Sequence, residues 1–272
     1  MEINGKTALV LGAVKGIGKG IGLALAREGA NLVLTRHDWR ESFKEMEAAF
    51  ENSGTEYLIV DANLIDPVQV THLAEKIKEK YGRLDILVNN IERGGWPAVH
   101  GKYIEAQWDL EMATTLKAKQ WVFDRMFPLL KQSDSGVVIN ISSIAGITGR
   151  SGPASVLFNE GYAAANRGVS LLTETWARMG APVVRVNEIM LGIFETRHGQ
   201  GTRGWEEVLT SHEKQAIIDH IPMGRTGTID DLTRMLLFII KDAPYMTGSL
   251  IRLDGGYVLG GEPVHPMPPG VV

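Results

Sequence analysis

The sequence has no cysteine among its 272 residues. Disulfide bonds, thiolate nucleophiles and zinc sites with cysteine ligands are therefore excluded, and no other metal site is predicted. The formal charge is −4, which argues against nucleic acid or an anionic membrane as the main partner. No run reaches the roughly 18 apolar residues that a membrane span needs. The first residues carry no apolar signal core, and we expect a soluble, cytoplasmic protein.

Short apolar runs alternate with helical patterns along the chain. Strands are predicted at Ala8–Leu11, Asn31–Thr35, Tyr57–Val60, Ile86–Val88, Val137–Ile141, Val183–Ile189 and Ser249–Leu253. Helices are predicted at Trp39–Ser53, Pro67–Tyr81, Trp108–Lys131, Tyr162–Met179 and Ile229–Lys241. This alternation is typical of an α/β fold with a doubly wound parallel sheet. Because no repeat or linker interrupts it, we predict a single domain over residues 1–272.

A glycine-rich turn follows the first predicted strand. Gly12, Gly16 and Gly18 lie between that strand and a helical pattern that runs to Glu28. Glycines let the backbone approach a pyrophosphate, and a helix N-terminus favours an anion. The spacing is not the tighter G-x-G-x-x-G pattern, so a purely structural turn remains an alternative. Its place in the β/α alternation favours a dinucleotide.

The end of the second predicted strand carries a basic residue. In doubly wound folds, a carboxylate here binds the free 2′-hydroxyl of NAD, whereas a cation accommodates the 2′-phosphate of NADP. Arg36 occupies this place, and Lys15 lies in the glycine loop beside it. NADP(H) is therefore favoured over NAD(H), although Asp38 would repel that phosphate. Ordinary surface charges are the other interpretation.

Two stretches depart from the alternation. Residues 195–220 form a long, polar stretch. Phe194 precedes it, and the apolar residues within it are Trp205, Val208, Leu209 and Ile217. We predict a substrate lid here, with a plain surface loop as the alternative. Residues 260–272 are rich in proline and glycine and form a predicted C-terminal tail that is mobile or packs on a neighbouring subunit.

Several further motifs occur in order along the chain. They are Gly12–Gly18, Asp61, Asp85–Asn90, Asn140–Gly146, Tyr162–Gly168, Arg185–Asn187, Ile221–Arg225 and Met246–Gly256. Together they resemble the classical short-chain dehydrogenase/reductase family, especially its 3-oxoacyl carrier-protein reductase-like members. The resemblance covers nearly the whole chain. It implies a Rossmann-type domain, a nicotinamide cofactor and a small-molecule carbonyl or alcohol substrate.

The resemblance also assigns residues to the cofactor. Asp61 would approach the adenine, Asn89 the sugar side and Thr196 the nicotinamide carboxamide. The complete predicted cofactor set is Gly12, Lys15, Gly16, Ile17, Gly18, Arg36, His37, Asp61, Ala62, Asn89, Tyr162, Asn166, Ile193 and Thr196.

The family's catalytic tetrad of Asn, Ser, Tyr and Lys is only half retained. Ser143 matches the serine that polarises the carbonyl, and Tyr162 the tyrosine that transfers the proton. Asn166 replaces the lysine four residues later, and Thr115 replaces the asparagine. Asn166 shares a helix face with Tyr162 and can point toward the ribose, but it carries no charge. A cation near 4 Å is worth roughly 4 kcal/mol to a phenolate, or about three pKa units, and this source of tyrosine acidity is missing.

One carboxylate occurs where the family has none. Glu92 lies in Asn89-Asn-Ile-Glu92, where the family has Asn-Asn-Ala-Gly. Glu92, Glu160 and Glu188 are candidates for the pocket mouth, and solvent exposure is the alternative for each.

Three hypotheses follow for function. The first is an NADP(H)-dependent oxidoreductase that uses Ser143 and Tyr162. The second is a nucleotide-binding sensor or assembly partner with weakened or no redox activity, because the lysine and the asparagine are lost. The third keeps an enzyme in which the substrate or a pocket carboxylate such as Glu188 supplies the acid–base chemistry.

The resemblance further implies a homo-oligomer, either a dimer or a tetramer. The expected contacts are the helices Trp108–Lys131 and Tyr162–Met179. The small residues Ala163, Ala164 and Gly168 would permit close approach of helices, or would equally pack against the sheet.

Overall fold

The computed structural model describes residues 1–92, 104–194, 196, 205, 209–262 and 264–267. Seven parallel strands form one sheet in the order β3-β2-β1-β4-β5-β6-β7. They are β1 Thr7–Val10, β2 Asn31–Arg36, β3 Tyr57–Asp61, β4 Ile86–Asn89, β5 Gly136–Ser143, β6 Val184–Leu191 and β7 Leu250–Leu253. The doubly wound α/β prediction is confirmed. The strand order reverses between β1 and β4, where such sheets open a crevice for ligands.

Helices cover both faces of the sheet. They are α1 Gly16–Arg27, α2 Phe43–Glu51, α3 Pro67–Tyr81, α4 Glu105–Glu111, α5 Ala118–Leu130, α6 Ala145–Thr148, α7 Glu160–Gly180, α8 Ser211–His220 and α9 Ile229–Lys241. Side-chain caps explain several starts: the Asp66 carboxylate accepts the Val68 N–H, and Thr228 caps α9. The predicted helix Trp108–Lys131 is instead two α-helices joined by a π-helical segment, Met112–Lys117.

Two apolar clusters sandwich the sheet. One packs α1, α2 and α9 on one face, and the other packs α3, α5 and α7 on the opposite face. Strands that are buried on both faces have continuous apolar sequences, and these runs predicted where the strands lie. Their carboxyl ends therefore form a fixed edge, and the polar residues that follow each strand are held along it.

A third apolar cluster lies beyond that edge. It contains Phe158 and Tyr162 together with Trp205, Leu209 and Ile217 from the predicted lid. The lid's apolar residues that the structure describes thus pack on the protein itself, near the start of α7. Residues 195, 197–204 and 206–208, with Val208 among them, lie outside the described residues. No helix in the described ranges is long and apolar enough to cross a membrane.

Candidate active site and cofactor cleft

A cleft of 340 Å³ opens along the carboxyl edge, from the glycine loop to Tyr162. It passes the switch point between β1 and β4, as expected for a dinucleotide site. Ten residues of the predicted cofactor set line it: Gly12, Lys15, Gly16, Ile17, Gly18, Arg36, His37, Ala62, Tyr162 and Thr196. The cleft therefore joins the loop that suits phosphate to the tyrosine that suits proton transfer.

The glycine loop is tight at two positions. Gly12 has φ +64°, and a Cβ there would lie 2.7 Å from the Asn90 carbonyl oxygen. A Cβ on Gly18 would lie 2.1 Å from the Gly12 carbonyl oxygen. Neither position tolerates a side chain without movement of backbone. The loop is thus held close against the end of β4, with the first turn of α1 facing the cleft.

The N-terminus of α1 suits a diphosphate. Its N-cap residue, Lys15, makes no side-chain cap, and the first turn contains no acidic residue. Gly16, Ile17 and Gly18 all line the cleft. A Cβ at Gly16 would meet nothing nearer than the Thr196 Cβ, at 3.9 Å, so the backbone there is open to a ligand. Free N–H groups and the helix dipole favour an anion at this end.

The far end of the cleft is built from charge pairs and aromatic rings. Arg36 donates to Asp61 through two bonds of 2.9 and 3.1 Å and also contacts Glu47. These carboxylates, Asp61 first, raise the pKa of the Arg36 guanidinium. The Lys15 ammonium lies 3.3 Å from the centre of the Trp39 ring, and Trp39 also lines the cleft.

The structure does not place Asp61 in the cleft, where it was predicted to meet the adenine. Its carboxylate is turned to Arg36 because the register of β2 and β3 sets the two residues side by side. Asn63, two residues later, lines the cleft instead. Trp39 was not predicted, and its only sequence signal was an aromatic residue close behind Arg36.

Tyr162 lies in the first turn of α7. The Asn159 side chain caps this helix by accepting the Tyr162 N–H at 2.8 Å. Tyr162 is 9% exposed and lies in the apolar cluster with Phe158. Its hydroxyl lines the cleft at a fixed position, because both the backbone and the ring are held.

Ser143 and Asn166 are joined to each other beside Tyr162. Ser143 ends β5, and its N–H donates to the Asn166 Oδ1 at 3.0 Å. The Asn166 Nδ2 donates to the Tyr162 carbonyl at 3.0 Å, and the Asn166 side chain is fully buried. Asn166 therefore connects α7 to β5. It is not among the residues that line the cleft, in contrast to its predicted place at the ribose.

A carboxylate takes the place next to the tyrosine hydroxyl. Tyr162 Oη donates to Glu92 Oε2 at 2.7 Å. Lys119, fully buried on α5, places its Nζ 3.8 Å from Glu92 Oε1 and donates to the Ile91 carbonyl at 2.8 Å. Glu92 was a predicted pocket-mouth candidate, whereas Lys119 was not predicted. The sequence feature that could have identified Lys119 is a lysine at a core-facing position of an apolar helix, four residues after Thr115.

Burial shifts all three groups toward their neutral forms. It raises the pKa of the Tyr162 phenol well above its ordinary value, and the Glu92 carboxylate adds to the increase while Ser143 and Asn166 oppose it. Burial also raises the pKa of Glu92, against the effect of Lys119. The pKa of the Lys119 ammonium is lowered by burial, opposed by Glu92 and then Glu188. Tyr162 thus has a carboxylate beside it where the family has a cation.

The other predicted carboxylates lie elsewhere. Glu188 was predicted at the pocket mouth, but it is fully buried on β6, where it accepts from Ser142 and from Ser170 on α7. Burial raises the pKa of its carboxyl. Glu160 is exposed and pairs with Arg150 at 3.1 Å. Alternate residues of a strand face opposite sides of the sheet, and Glu188 faces the layer between the sheet and α7.

Two further predicted residues are buried away from the cleft. Asn89 was predicted on the cofactor's sugar side, but its side chain donates to Asn140 at 3.2 Å inside the sheet layer. The next residue, Asn90, lines the cleft. Ile193 is 6% exposed within the third apolar cluster. These positions are corrections to the predicted set.

Thr115 lies in the π-helical segment, which packs against α7. Its side chain is fully buried, and its hydroxyl has no hydrogen-bond partner within the described ranges. π-Helical turns are frequent at functional sites. Thr114, one residue earlier, is the member of this segment that lines the cleft.

Comparison with known proteins identifies a family model, curated relatives and solved structures that this chain resembles. A family model described as enoyl-(acyl carrier protein) reductase matches residues 12–258. The 3-oxoacyl-[acyl-carrier-protein] reductase FabG of Thermotoga maritima is 32% identical over 95% of this chain and 100% of its own length. FabG of Haemophilus influenzae is 30% identical over 94% and 100%. The Pseudomonas aeruginosa RhlG/NADP active-site complex superposes with a TM-score of 0.81 at 26% identity, covering 93% of this chain and 96% of that chain.

Proposed function

Because the chain belongs to the short-chain dehydrogenase/reductase family and is an NAD(P)-dependent oxidoreductase of a carbonyl/alcohol pair, we propose that it uses NADP(H) and that its substrates are 3-oxoacyl thioesters. The substrate class is supported by the two FabG relatives. The family model carries the name of an enoyl reductase, which acts on a carbon–carbon double bond. A hydroxyl pair such as Ser143 and Tyr162 instead suits the oxygen of a carbonyl.

The observation that carries the proposal is the continuity of one cleft. The N-terminus of α1, the glycine loop and Tyr162 all line the same cavity. When bound there, a nicotinamide dinucleotide supplies or accepts the hydride. The backbone of Gly16, Ile17 and Gly18 would hold its diphosphate, and Thr196 would lie near its nicotinamide end.

The chain's own residues then manage the substrate oxygen. The Ser143 hydroxyl would donate to that oxygen and polarise the carbonyl. In the structure, its Oγ accepts the Ala145 N–H at 3.1 Å, which leaves the hydroxyl proton available to a ligand. Tyr162 Oη would transfer the proton. Asn166 acts on Ser143 by accepting its N–H, and the π-helical segment that carries Thr115 packs against α7, which carries Tyr162.

NADP(H) is proposed because basic residues are prominent among those that line the adenosine end. Lys15, Arg36 and His37 line the cleft there, with Asp38 as the opposing charge. Arg36 already donates to Asp61 and Glu47. A 2′-phosphate would therefore share the guanidinium with these carboxylates, which makes the preference for NADP(H) modest. The superposed RhlG structure is an NADP complex.

Calorimetry and a turnover assay test this proposal together. We expect NADPH to bind about tenfold more tightly than NADH, which corresponds to about one charge-assisted hydrogen bond. Arg36→Gln should remove most of that difference, whereas Arg27→Gln, an exposed arginine on α1, should leave it. We also expect oxidation of NADPH with acetoacetyl-coenzyme A and little with crotonyl-coenzyme A.

Three results would contradict parts of the proposal. A lack of affinity for every form of NAD and NADP would end the assignment of the cleft. Tight dinucleotide binding without turnover of a broad carbonyl panel would favour the sensor or partner hypothesis. Preference for crotonyl-coenzyme A would move the substrate class to enoyl thioesters.

We also propose a homo-oligomer that forms through the faces of α4, α5 and α7. A groove of 700 Å³ lies on this side, lined mostly by apolar residues such as Leu116, Trp121 and Leu171. Leu171 is 65% exposed. Light scattering after size exclusion should give a dimer or a tetramer, and Leu171→Glu should shift it toward the monomer. A monomeric wild type would refute the proposal.

A further inference from the structure

Three ionisable side chains from separate elements meet in the wall of the cleft. Tyr162 Oη on α7 donates to Glu92 Oε2 at 2.7 Å, just after β4. Lys119 on α5 approaches the other carboxylate oxygen, Glu92 Oε1, to 3.8 Å. Glu188 on β6 is the second carboxylate that acts on this lysine. These are the charged groups that face the Tyr162–Glu92 contact from the described elements packed around it.

One oxygen of the carboxylate is hydrogen-bonded to the tyrosine, and the other is buried. Glu92 Oε2 is bonded to the tyrosine, while Oε1 has no hydrogen-bond partner in the described part of the chain. The distance from Oε1 to Lys119 Nζ exceeds that of a hydrogen bond. Lys119 is held instead by the Ile91 carbonyl at 2.8 Å. The lysine thus supplies charge beside Oε1 without a hydrogen bond to it, and Oε2 is the oxygen that can receive the Tyr162 proton.

A carboxylate next to a tyrosine has the opposite effect to a lysine. A cation would stabilise the phenolate, whereas Glu92 and the apolar surroundings oppose it. A phenolate at Tyr162 is therefore disfavoured, and a tyrosine that stays neutral needs a partner that receives its proton. Glu92 is in direct contact with the hydroxyl, and its side chain is 21% exposed, which gives a path for the proton to solvent.

We propose that Glu92 is the general acid–base of this enzyme, that Tyr162 passes protons between Glu92 and the substrate oxygen, and that Lys119 is a positioning residue for Glu92. The inference rests on the oxidoreductase function proposed above. It identifies the pocket carboxylate as Glu92, whereas the sequence had indicated Glu188.

The proton steps balance in both directions. During alcohol oxidation, the substrate O–H bond breaks and its proton moves to Tyr162 Oη. The Tyr162 O–H bond breaks in the same step, and its proton forms an O–H bond with Glu92 Oε2. The hydride that the carbon loses would pass to the nicotinamide dinucleotide when it is bound, and the alcohol would thereby be oxidised to a carbonyl. Glu92 then releases its proton to solvent. Reduction reverses each transfer, with protonated Glu92 as the donor.

The test replaces the carboxylate by an amide of the same shape. Glu92→Gln still accepts a hydrogen bond from Tyr162 but receives no proton. We expect turnover of acetoacetyl-coenzyme A with NADPH to fall about 10²- to 10³-fold, with the affinity for NADPH within about threefold of wild type by calorimetry. Glu92→Asp keeps a carboxylate and should retain more of the rate. Glu174→Gln makes the same change on α7, away from the residues that line the cleft, and should behave as wild type.

A second readout uses the protein without cofactor. Ultraviolet difference titration of wild type against Tyr162→Phe isolates the ionisation of this one tyrosine. The same comparison in a Glu92→Gln background should show ionisation at a lower pH, because the neighbouring negative charge is gone. This titration tests the contact between Glu92 and Tyr162, and the turnover of Glu92→Gln tests the proton transfer.

The outcomes separate the inference from the proposed function. Wild-type turnover that persists in Glu92→Gln would overturn the inference alone, and so would a Tyr162 titration that does not respond to Glu92. If Glu92→Gln fails to fold, Glu92→Ala decides: turnover equal to that of wild type with no carboxylate at this position would overturn the inference. Failure of the wild type to bind any nicotinamide dinucleotide would instead end the proposed function, whatever the titration shows.

Discussion

Tyr162→Phe will lower turnover at least about a hundredfold and leave dinucleotide affinity nearly unchanged. The substitution removes only the hydroxyl, which donates a hydrogen bond to Glu92 in the wall of the cleft. The ring remains, and its packing with Phe158, at 6.1 Å between ring centroids, keeps α7 in place. The steady-state rate with NADPH and acetoacetyl-coenzyme A, together with calorimetry, measures the two effects separately.

Tyr257→Phe provides the matched control. Tyr257 is 1% exposed in the same apolar cluster, and its hydroxyl accepts the Ala154 N–H at 2.7 Å. Loss of this buried bond should cost about 1 kcal/mol of stability but change turnover only a few-fold. If Tyr162→Phe and Tyr257→Phe have similar rates, Tyr162 is a packing residue and the proton path described above is wrong.

Lys119→Met is expected to destabilise the protein by about 3 kcal/mol at pH 8, because it removes the cation from between two buried carboxylates. Lys119 faces both Glu92 and Glu188 and is fully buried. Methionine fills much of the same volume, so most of the loss is electrostatic. Lys117→Met, an exposed lysine two residues earlier, is the control and should be close to neutral.

The effect should depend on pH in a defined direction. Burial raises the pKa values of Glu92 and Glu188 above their ordinary value of 4.5, and loss of Lys119 raises them further. A folded state that holds protons which the unfolded chain has released loses stability as pH rises through that window. In wild type the two carboxyls have this effect to a smaller extent, and the pKa of Lys119, lowered from 10.5, adds an opposite contribution in which stability rises with pH. The deficit of Lys119→Met should therefore grow from pH 5 to pH 8.

Thermal unfolding of both variants and wild type at these two pH values measures the deficit. Adding Glu188→Gln to Lys119→Met should recover part of the stability at pH 8, because one of the two uncompensated carboxylates is then neutral. Equal stability of Lys119→Met and Lys117→Met at pH 8 would show that Lys119 carries no charge that the fold depends on.

Some features of the site follow from local sequence, and their positions were predictable. β1, the glycine loop and α1 form a contiguous segment, so this end of the cleft could be predicted from the order of residues from Thr7 to Arg27. Ser143 ends a strand that is buried on both faces, and Tyr162 lies in the first turn of a helix with an asparagine cap. The replacement of a lysine by Asn166 was equally visible. Periodicity, turn chemistry and capping are local properties, and they fixed these elements without reference to tertiary contacts.

Single-residue choices of face were not predictable in the same way. Asn89 and Asn90 are adjacent, yet one bonds to Asn140 inside the sheet layer and the other lines the cleft. The strand period of two sends neighbouring side chains to opposite sides. The place where β4 ends decides which asparagine lines the cleft. The pairing of β2 with β3 likewise turns Asp61 toward Arg36 and away from the cleft.

The order and types of residues along the chain were enough to predict a parallel sheet, a glycine loop at its first crossover, and a serine and a tyrosine without the usual lysine. The neighbour of that tyrosine is set by how the elements pack in three dimensions. Glu92 and Tyr162 are 70 residues apart in the chain, and Lys119 approaches them from a third element. Parallel strands bring the residues after their carboxyl ends to one edge, and helix packing turns a buried lysine toward the same point. Such contacts depend on how whole elements pack, which no local pattern records.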